Sequence, residues 1–300
     1  DLEVDQREVN SQLYYINYPI EGSDKFITIA TTRPETMLGD TAIAVNPKDD
    51  RFKDIVGKLA TIPLANRKIK VITDDYADPE QGTGAVKITP AHDFNDYDVG
   101  IRNKLEVINI FTPDGKINDN APDPYKGLDR FAARKLILEH LEEGKFLEKI
   151  EKLVNKVPYG DRSNSIIEPY LTEQWFVDAK TLAVKAKEVV NNGKTKFFPE
   201  NWSKTYFQWM DNIEPWCISR QLWWGHQIPA WYGPDGKIFV AENEDECKKQ
   251  AKEFYSKDVE LKRDEDVLDT WFSSALWPFA TLGWPEKTPG VEKFYPTSVL

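Results

Sequence analysis

A short run of hydroxyl side chains around one cation is the first feature of this sequence that could bind a substrate. Residues 31–36 read Thr-Thr-Arg-Pro-Glu-Thr and directly follow a β-prone run, Phe26–Ala30. If the run turns as a helix does, Arg33 and Thr36 lie three residues apart on one side of it. Exposed amides, hydroxyls and a cation together could bind a ribose, or a carbonyl oxygen that becomes negative during a reaction.

The same run also has a purely structural interpretation. Thr32 and Glu35 have the spacing of a capping box, and Pro34 suits the first turn of a helix. Capping would explain these three residues, but it gives no role to Arg33 or to the remaining hydroxyls. Both interpretations therefore stay open at the level of local pattern.

A second segment, residues 82–96, combines a strand pattern with charged side chains. Alternation along a strand places Val86 and Ile88 on one face and Lys87 and Thr89 on the other. If the apolar pair is buried, the opposite face is polar and carries one ammonium group.

Carboxylates follow this strand at once. Pro90 ends the strand pattern, and Asp93 and Asp96 have the spacing that places both in the first turn of a following helix, where the helix dipole favours acids. His92 lies between them, although a lone histidine is more often a structural residue than a catalyst. A strand followed by an acidic helix start explains the pattern as well as a binding site does.

Other chemistries find no support in the sequence. Gly193-Lys194-Thr195 has Glu188 where a phosphate-binding loop needs its first glycine, and Gly82-Thr-Gly84 has Lys87 where a dinucleotide fingerprint needs glycine. The three histidines are dispersed, so we expect no metal site; they are His92, His140 and His226.

The composition limits the classes of protein to which the chain can belong. The 300 residues carry a net charge of −11, which argues against unselective attraction to nucleic acid. Cys217 and Cys247 have no cysteine at metal-ligand spacing, and the longest uncharged run, 270–285, is shorter than the roughly 20 apolar residues of a membrane helix. With no Met and no apolar leader at the start, we expect an excised fragment of a soluble, cytoplasmic protein with no membrane partner.

The element pattern mixes strands and helices and predicts an α/β or α+β class. The β-prone runs are Phe26–Ala30, Lys68–Ile72, Gly84–Thr89 and Glu106–Phe111, and the helical runs are Leu128–Glu143, Lys180–Val190 and Ala241–Lys257. In the first of these helices we expect Asp129 as N-cap, an apolar face of Phe131, Leu138 and Leu141, and Gly144 as the left-handed C′ residue.

All ten tryptophans lie after residue 174, which suggests two units. The pattern weakens between Ile150 and Glu168, so we place the boundary there. The tryptophans are interpreted mainly as core and packing residues; a stacking platform for bases or sugars is the alternative.

At residues 31–36 and 87–96 the sequence resembles the editing domain inserted in class I aminoacyl-tRNA synthetases for valine, isoleucine and leucine. Three stretches are most similar to the valyl-specific branch of that family. They are Gly84-Ala-Val-Lys-Ile-Thr-Pro-Ala-His-Asp93, Ile218-Ser-Arg-Gln-Leu-Trp-Trp-Gly-His226 and Leu268-Asp-Thr-Trp-Phe-Ser-Ser-Ala-Leu-Trp277. The resemblance spans nearly the whole chain.

The resemblance implies a barrel-like editing domain over 1–158 and, over 159–300, a return segment with part of a Rossmann-like catalytic domain. The family's ATP-binding His-Ile-Gly-His and Lys-Met-Ser-Lys-Ser motifs are absent from the printed sequence, so ATP and Mg are expected for the parent synthetase only, and editing needs no cofactor. Some relatives carry paired cysteines near the segment that here reads 160–164; we expect no zinc there. The chain stops at Val299-Leu300, in what resembles the approach to a strand of the nucleotide-binding fold.

Carried over residue by residue, the family motif implies catalytic roles for Thr36, Lys87, Asp93 and Asp96. Asp96 would bind the substrate's α-ammonium, and Asp93 and Lys87 would address the threonyl hydroxyl or the ester. Thr36, Arg33 and Thr89 would position the terminal adenosine, the ester oxygen or a water. The substrate-binding set implied by the motif is Thr31, Thr32, Arg33, Thr89 and His92.

The implied reaction is hydrolysis of threonine mischarged on valine-specific tRNA, and possible hydrolysis of threonyl-adenylate. No Ser or Cys has a base at recognisable spacing, so we expect attack by water, assisted by a ribose hydroxyl of the tRNA 3′ end. Two other functions remain open. One is a non-catalytic module that binds the tRNA acceptor end, and the other is a carbohydrate-active protein using acids such as Asp93 and Asp96.

Overall fold

A computed structural model of the chain describes residues 4–161 and 163–299. The chain divides into two compact units, one ending at Thr172 and the other beginning at Glu173. Arg162, which belongs to the segment 160–164 considered for zinc, and Leu300, which ends the expected strand approach, lie outside the described residues.

The first unit contains seven strands and two helices within its described residues. The strands are β1 (Val4–Pro19), β2 (Phe26–Thr31), β3 (Ala42–Val45), β4 (Leu59–Thr61), β5 (Lys68–Thr73), β6 (Ala85–Ile88) and β7 (Leu147–Gly160). The helices are α1 (Phe94–Asn103) and α2 (Arg130–Glu143), with short 3-10 turns at Pro34–Gly39, Asp50–Phe52 and Asp123–Tyr125.

These strands form two sheets. The first has the order β2-β1-β7, all antiparallel, and the second has the order β4-β5-β3-β6 with β3 and β5 parallel. A bridge between Ile20 and Ala60 links the two sheets. Among the described residues the sheets do not close into a barrel, while the mixed α/β class is confirmed.

Strand β3 lies at the centre of the core because both of its faces are buried. Ile43 and Val45 belong to the larger apolar cluster, and Ala42 and Ala44 belong to a smaller one with Ile88 of β6. Alternate side chains of a strand point to opposite faces, so β3 separates the two clusters. The polar residues at the ends of β3 and β6 are therefore held by strands that are anchored on an apolar core.

The second unit consists of short strands and five helices within 173–299. The strands are β8 (Phe176–Val177), β9 (Trp216–Cys217), β10 (Ser219–Arg220), β11 (Ala230–Tyr232), β12 (Ile238–Val240), β13 (Lys262–Arg263) and β14 (Val267–Leu268). The helices are α3 (Ala179–Asn191), α4 (Trp202–Asp211), α5 (Glu244–Tyr255), α6 (Thr270–Ala280) and α7 (Pro289–Phe294). All strand pairings described here are antiparallel.

Most predicted elements are present, but one predicted strand is wrong. Strands β2, β5 and β6 and helices α2, α3 and α5 match the runs predicted for them. Residues 106–111 form no strand, only a bridge between Phe111 and Ile117. The Ile110 amide donates to the His92 ring instead, and Asn118 donates from its side chain to the Phe111 carbonyl, so side chains satisfy backbone groups that a strand would pair.

Helix α2 begins as predicted, with Asp129 accepting from the amide of Phe131. Its predicted apolar face is wrong in part: the buried residues are Ala133, Ile137 and Leu141, while Phe131 is exposed. Four-residue spacing keeps that alanine, isoleucine and leucine on one side. The left-handed residue after the helix is Lys145, whereas Gly144 keeps a helical φ of −75°.

Residues 150–160, where the sequence pattern weakens, form a strand rather than a linker. β7 runs through this segment and pairs with β1 from Val4 to Ile16, so the first unit continues beyond the boundary expected at 158. Alternating charged residues made a solvent-exposed strand look like a linker. The assignment of editing and catalytic roles to the two parts remains a prediction.

Within the second unit the tryptophans form little of the core. Trp231 is buried at 3% exposure, but Trp223, Trp224, Trp271, Trp277 and Trp209 are at least 70% exposed. These five rings are therefore not core residues of the described unit, and their interpretation as domain-packing residues remains a prediction. Among the described residues, both cysteines are free, no helix has the length and hydropathy to cross a membrane, and no acidic, His or Cys cluster could hold a metal ion.

Candidate functional site

The threonine-rich segment forms a buried 3-10 turn rather than the start of a capped helix. Arg33 occupies the N-cap position, no side chain caps the turn, and Pro34 is in the first turn as predicted. The predicted capping box between Thr32 and Glu35 is wrong, because the Glu35 carboxylate is fully buried and accepts two 2.7 Å hydrogen bonds from Arg134 of α2.

Two hydroxyls of the segment stabilise the turn itself. Thr31 accepts a hydrogen bond from the Arg33 amide at 3.1 Å, and Thr36 donates to the Arg33 carbonyl at 2.9 Å. Both threonines are buried, whereas Thr32 is half-buried. The sequence interpretation treated all three as ligand-facing, but the structure uses Thr31 and Thr36 to shape the loop that presents Arg33.

Arg33 joins the two segments that the sequence singled out. Its guanidinium donates to the carbonyl of His92 at 2.8 Å and forms a salt bridge with Glu168. Glu168 also lies 3.2 Å from the guanidinium of Arg130, and its burial raises the pKa of its carboxyl. The Arg33 side chain keeps 27% of its surface exposed, so it is anchored by protein groups yet still reaches the surface.

A group of polar residues at the end of β6 lies next to this turn; we call Asp40, Lys87, Thr89 and Asp96 the polar cluster. Lys87 contacts the hydroxyl of Thr89 and lies 3.2 Å from Asp40 Oδ1. Thr89 donates from its hydroxyl to Asp40 Oδ1 at 2.6 Å, and its amide donates to Asp96 Oδ2 at 2.9 Å. Lys87 and Thr89 thus share a face, as strand alternation predicted.

The two carboxylates of α1 have different environments. Asp93 is the N-cap and accepts from the amides of Asn95 and Asp96 at 2.9 and 3.2 Å. Asp96 is only 5% exposed, and burial raises its pKa from 3.8 to about 6, while Lys87 and the Thr89 amide oppose the rise. The expectation that both acids project together is therefore only partly met, since Asp96 turns back toward β6 and Asp93 closes the helix start.

His92 is a buried structural histidine in this arrangement. Its Nε2 accepts from the Ile110 amide at 3.0 Å, and its ring packs on Phe111 with centroids 4.6 Å apart. Burial and the nearby cations Arg33 and Lys87 lower its pKa to about 3, so the ring is neutral at physiological pH. His92 contributes its carbonyl to Arg33 and cannot act as a cation toward a substrate.

Asp40 is the residue that sequence reasoning missed. It follows the turn and precedes β3, its side chain is fully buried, and it accepts from Tyr18 as well as from the β6 residues. The signal available was a lone aspartate placed directly before an apolar strand, between Gly39 and Thr41. That signal is weak without knowing that β3 pairs with β6 and brings Asp40 beside Lys87 and Thr89.

Comparison with known proteins identifies the family of this chain. The family model described as tRNA synthetases class I (I, L, M and V) matches residues 1–300. The chain belongs to the class I tRNA synthetases. It is 75% identical over 300 residues to a valine–tRNA ligase of Pelagibacter ubique and 55% identical over 320 residues to one of Caulobacter vibrioides.

The chain is matched in full by both of these relatives but covers only 34% and 35% of their lengths, about a third. A solved structure of an Agrobacterium radiobacter K84 LeuRS in ternary complex with tRNA and LeuAMS is 18% identical, with a TM-score of 0.38. That likeness covers 91% of this chain and 31% of the LeuRS chain.

Proposed function

We propose that the first unit hydrolyses threonine wrongly esterified to valine-specific tRNA. The observation that carries this proposal is that one ammonium, Lys87, and one buried carboxylate, Asp96, both contact Thr89 at the end of β6. A threonyl ester offers complementary groups, since it has a free α-ammonium and a side-chain hydroxyl. Adjacent Arg33 adds a cation for the oxygen-rich 3′ end of the tRNA.

Asp96 is assigned to the α-ammonium, because a carboxylate that is costly to keep ionised inside the protein gains a cationic partner when substrate binds. Lys87 and Asp93 are assigned to the threonyl hydroxyl or the ester. Valine presents a methyl group in place of that hydroxyl and would leave a polar partner unpaired, at a cost of about 1–3 kcal/mol.

The preference of this site for threonine over valine is opposite to that of the synthetic pocket, which must select valine. An apolar pocket for valine is known to reject threonine by only about 10², and hydrolysis at a second site is the general remedy. In the present site water attacks the ester, positioned by the Thr31–Thr36 loop and by a ribose hydroxyl of the substrate. The loop residues Thr36, Arg33 and Thr32 then act by shaping the loop beside the polar cluster. His92 and Thr89 act by holding that loop in place.

The whole synthetase is proposed to join valine to tRNA with ATP and Mg. The relatives that carry the name valine–tRNA ligase support this proposal, and the 300-residue chain lacks the sequence motifs for ATP activation. The threonyl and valyl moieties and the 3′ acceptor end of valine tRNA are the proposed ligands. No cofactor is proposed for the hydrolytic step.

The test measures release of threonine from threonyl-tRNA of valine specificity by the 300-residue chain, with valyl-tRNA as the competing substrate. The Asp96→Ala variant should lose most of this activity. Asp98→Ala is the matched control, since Asp98 is an exposed carboxylate on the same helix. Equal rates for the wild-type chain and the Asp96 variant would refute the assignment.

A second candidate function is binding of the tRNA acceptor end without hydrolysis. It is favoured by Trp223 and Trp224, whose side chains are fully exposed or nearly so and could stack on bases. This function predicts saturable binding of tRNA by the wild-type chain with no release of threonine. Replacing both tryptophans by alanine should then weaken binding, whereas the Asp96→Ala variant should bind normally.

A further inference from the structure

The carboxylate of Asp40 is the one ionisable group of the polar cluster to which the proposed reaction assigns no role. It is fully buried and receives three donors: the Tyr18 hydroxyl at 2.8 Å on Oδ2, and the Thr89 hydroxyl at 2.6 Å and Lys87 Nζ at 3.2 Å on Oδ1. An ionised carboxylate only accepts hydrogen bonds, so three converging donors match its charged form.

These contacts determine the direction of each hydrogen bond in the cluster. A threonine hydroxyl has one proton, and Thr89 gives it to Asp40, so Thr89 can only accept from Lys87. An ammonium has three N–H donors, and Lys87 directs two of them to Asp40 and Thr89. The third remains for an acceptor at the 11% of its side chain that is exposed.

The backbone around Asp40 is held independently of its carboxylate. Arg67 donates to the carbonyls of Asp40 and Leu38 at 2.6 and 2.8 Å, and the Asp40 amide donates to the Met37 carbonyl at 3.1 Å. The path of the turn is therefore anchored by main-chain contacts. The carboxylate is left to orient Lys87 and Thr89.

We propose that Asp40 is a positioning residue that aims the ammonium of Lys87 at the substrate's side-chain hydroxyl and so determines the preference for threonyl over valyl esters. This inference rests on the proposed function of the site. Without Asp40, the flexible lysine stem loses its charged anchor, and the Thr89 hydroxyl is free to turn and compete for the same ammonium.

The experiment compares kcat/KM for threonyl-tRNA and valyl-tRNA in the wild-type chain, Asp40→Asn, Lys87→Met and the double variant. Asp40→Asn should lower kcat/KM for threonyl-tRNA by about 10- to 100-fold, the size of a lost hydrogen bond to a charged group. The slow reaction with valyl-tRNA should change less than about threefold. If Asp40 acts through Lys87, the double variant should be no worse than Lys87→Met alone.

Asp74→Asn is the matched control for placing an amide at a buried, hydrogen-bonded carboxylate. Asp74 is held by Arg102 and Asn103 and keeps 7% exposure of its side chain. Hydrogen exchange should show that both aspartate variants keep the fold. The control should retain the wild-type preference for threonyl-tRNA.

Should Asp40→Asn not fold, Tyr18→Phe replaces it, because it removes the donor on Oδ2 without touching Lys87. Its matched control is Tyr125→Phe, a buried tyrosine bonded to His140. Loss of threonyl selectivity in Tyr18→Phe and not in its control supports the proposal.

The outcomes separate the two proposals. A wild-type chain that releases no threonine contradicts the proposed function, and the inference falls with it. An active wild-type chain with unchanged selectivity in Asp40→Asn, or with additive losses in the double variant, overturns the role of Asp40 alone.

Discussion

Replacing Asp96 by asparagine should stabilise the first unit and at the same time remove the deacylase activity proposed for it. Burial raises the pKa of Asp96 from 3.8 to about 6. At roughly 1.4 kcal/mol for each pKa unit, keeping this carboxylate ionised costs the folded state about 3 kcal/mol. Asparagine can still accept from the Thr89 amide through its Oδ1, but it carries no charge to bury and cannot bind an ammonium.

The stability that Asp96→Asn adds to the first unit should increase with pH. Below about pH 4 Asp96 is protonated in both the folded and the unfolded chain, so the variant has no advantage. As pH rises from about 4 to 6 the unfolded chain releases this proton while the folded chain still holds it, so the wild type loses stability that the variant keeps. The difference should therefore grow between pH 4 and 6 and reach up to about 3 kcal/mol above it, less the cost of an unpaired amide N–H.

Hydrogen exchange of peptides from β6 and α1 measures the free energy of opening in this unit. Tryptophan fluorescence serves as an internal reference, since every tryptophan follows residue 174 and reports on the second unit only. Asp98→Asn, an exposed change on the same helix, is the control. It should change neither the free energy of opening nor the tryptophan fluorescence. The reasoning would be refuted if Asp96→Asn were less stable than the wild type at pH 7.5. It would also be refuted if the difference in free energy of opening between variant and wild type were the same at pH 4 and at pH 7.5.

Three further outcomes are expected. The kcat/KM of the wild-type chain for threonyl-tRNA should fall about tenfold per pH unit below pH 6, because it requires the ionised carboxylate of Asp96; a flat profile to pH 5 would contradict this. Glu35→Gln should destabilise the first unit by about 3 kcal/mol, measured by urea unfolding, because the half-buried Arg134 guanidinium loses its carboxylate partner and one of its N–H donors then faces an amide N–H. Gly39→Ala should cost about 1–3 kcal/mol in the same assay, since its Cβ would lie 2.8 Å from the Ile108 carbonyl oxygen.

Two substitutions serve as controls for the stability changes. Glu139→Gln breaks an exposed pair with Lys135 and should stay within about 0.5 kcal/mol of wild type. Gly290→Ala meets nothing closer than 3.4 Å and should be tolerated in its own unit. Equal effects of Glu35→Gln and Glu139→Gln would show that burial of the first pair is not what matters.

Local pattern was sufficient where the deciding interaction is itself local. The face shared by Lys87 and Thr89 follows from strand alternation, which acts between near neighbours. Asp129 at the start of α2 was predictable for the same reason. The family motif added the assignment of Asp96, which no spacing rule supplies.

Predictions failed where the partner lies far away in the chain. Glu35 has the spacing of a capping residue, yet its carboxylate accepts a hydrogen bond from Arg134 of α2, which is distant in sequence. The run 106–111 has β-prone residues, but His92 and Asn118 satisfy its backbone through their side chains. In each case a side-chain contact from outside the segment outweighed the preference of the segment itself.

The amino-acid sequence by itself determined which segments carry the candidate site residues, because residue type and near-neighbour spacing are written along the chain. Only the tertiary structure decided which of those groups lie together in the polar cluster and which hold the loop together. Pairing of β3 with β6 brings Asp40 beside Lys87, and burial raises the pKa of Asp96. Both effects depend on strands distant in sequence lying side by side, since hydrogen bonding and desolvation act through space and not along the backbone.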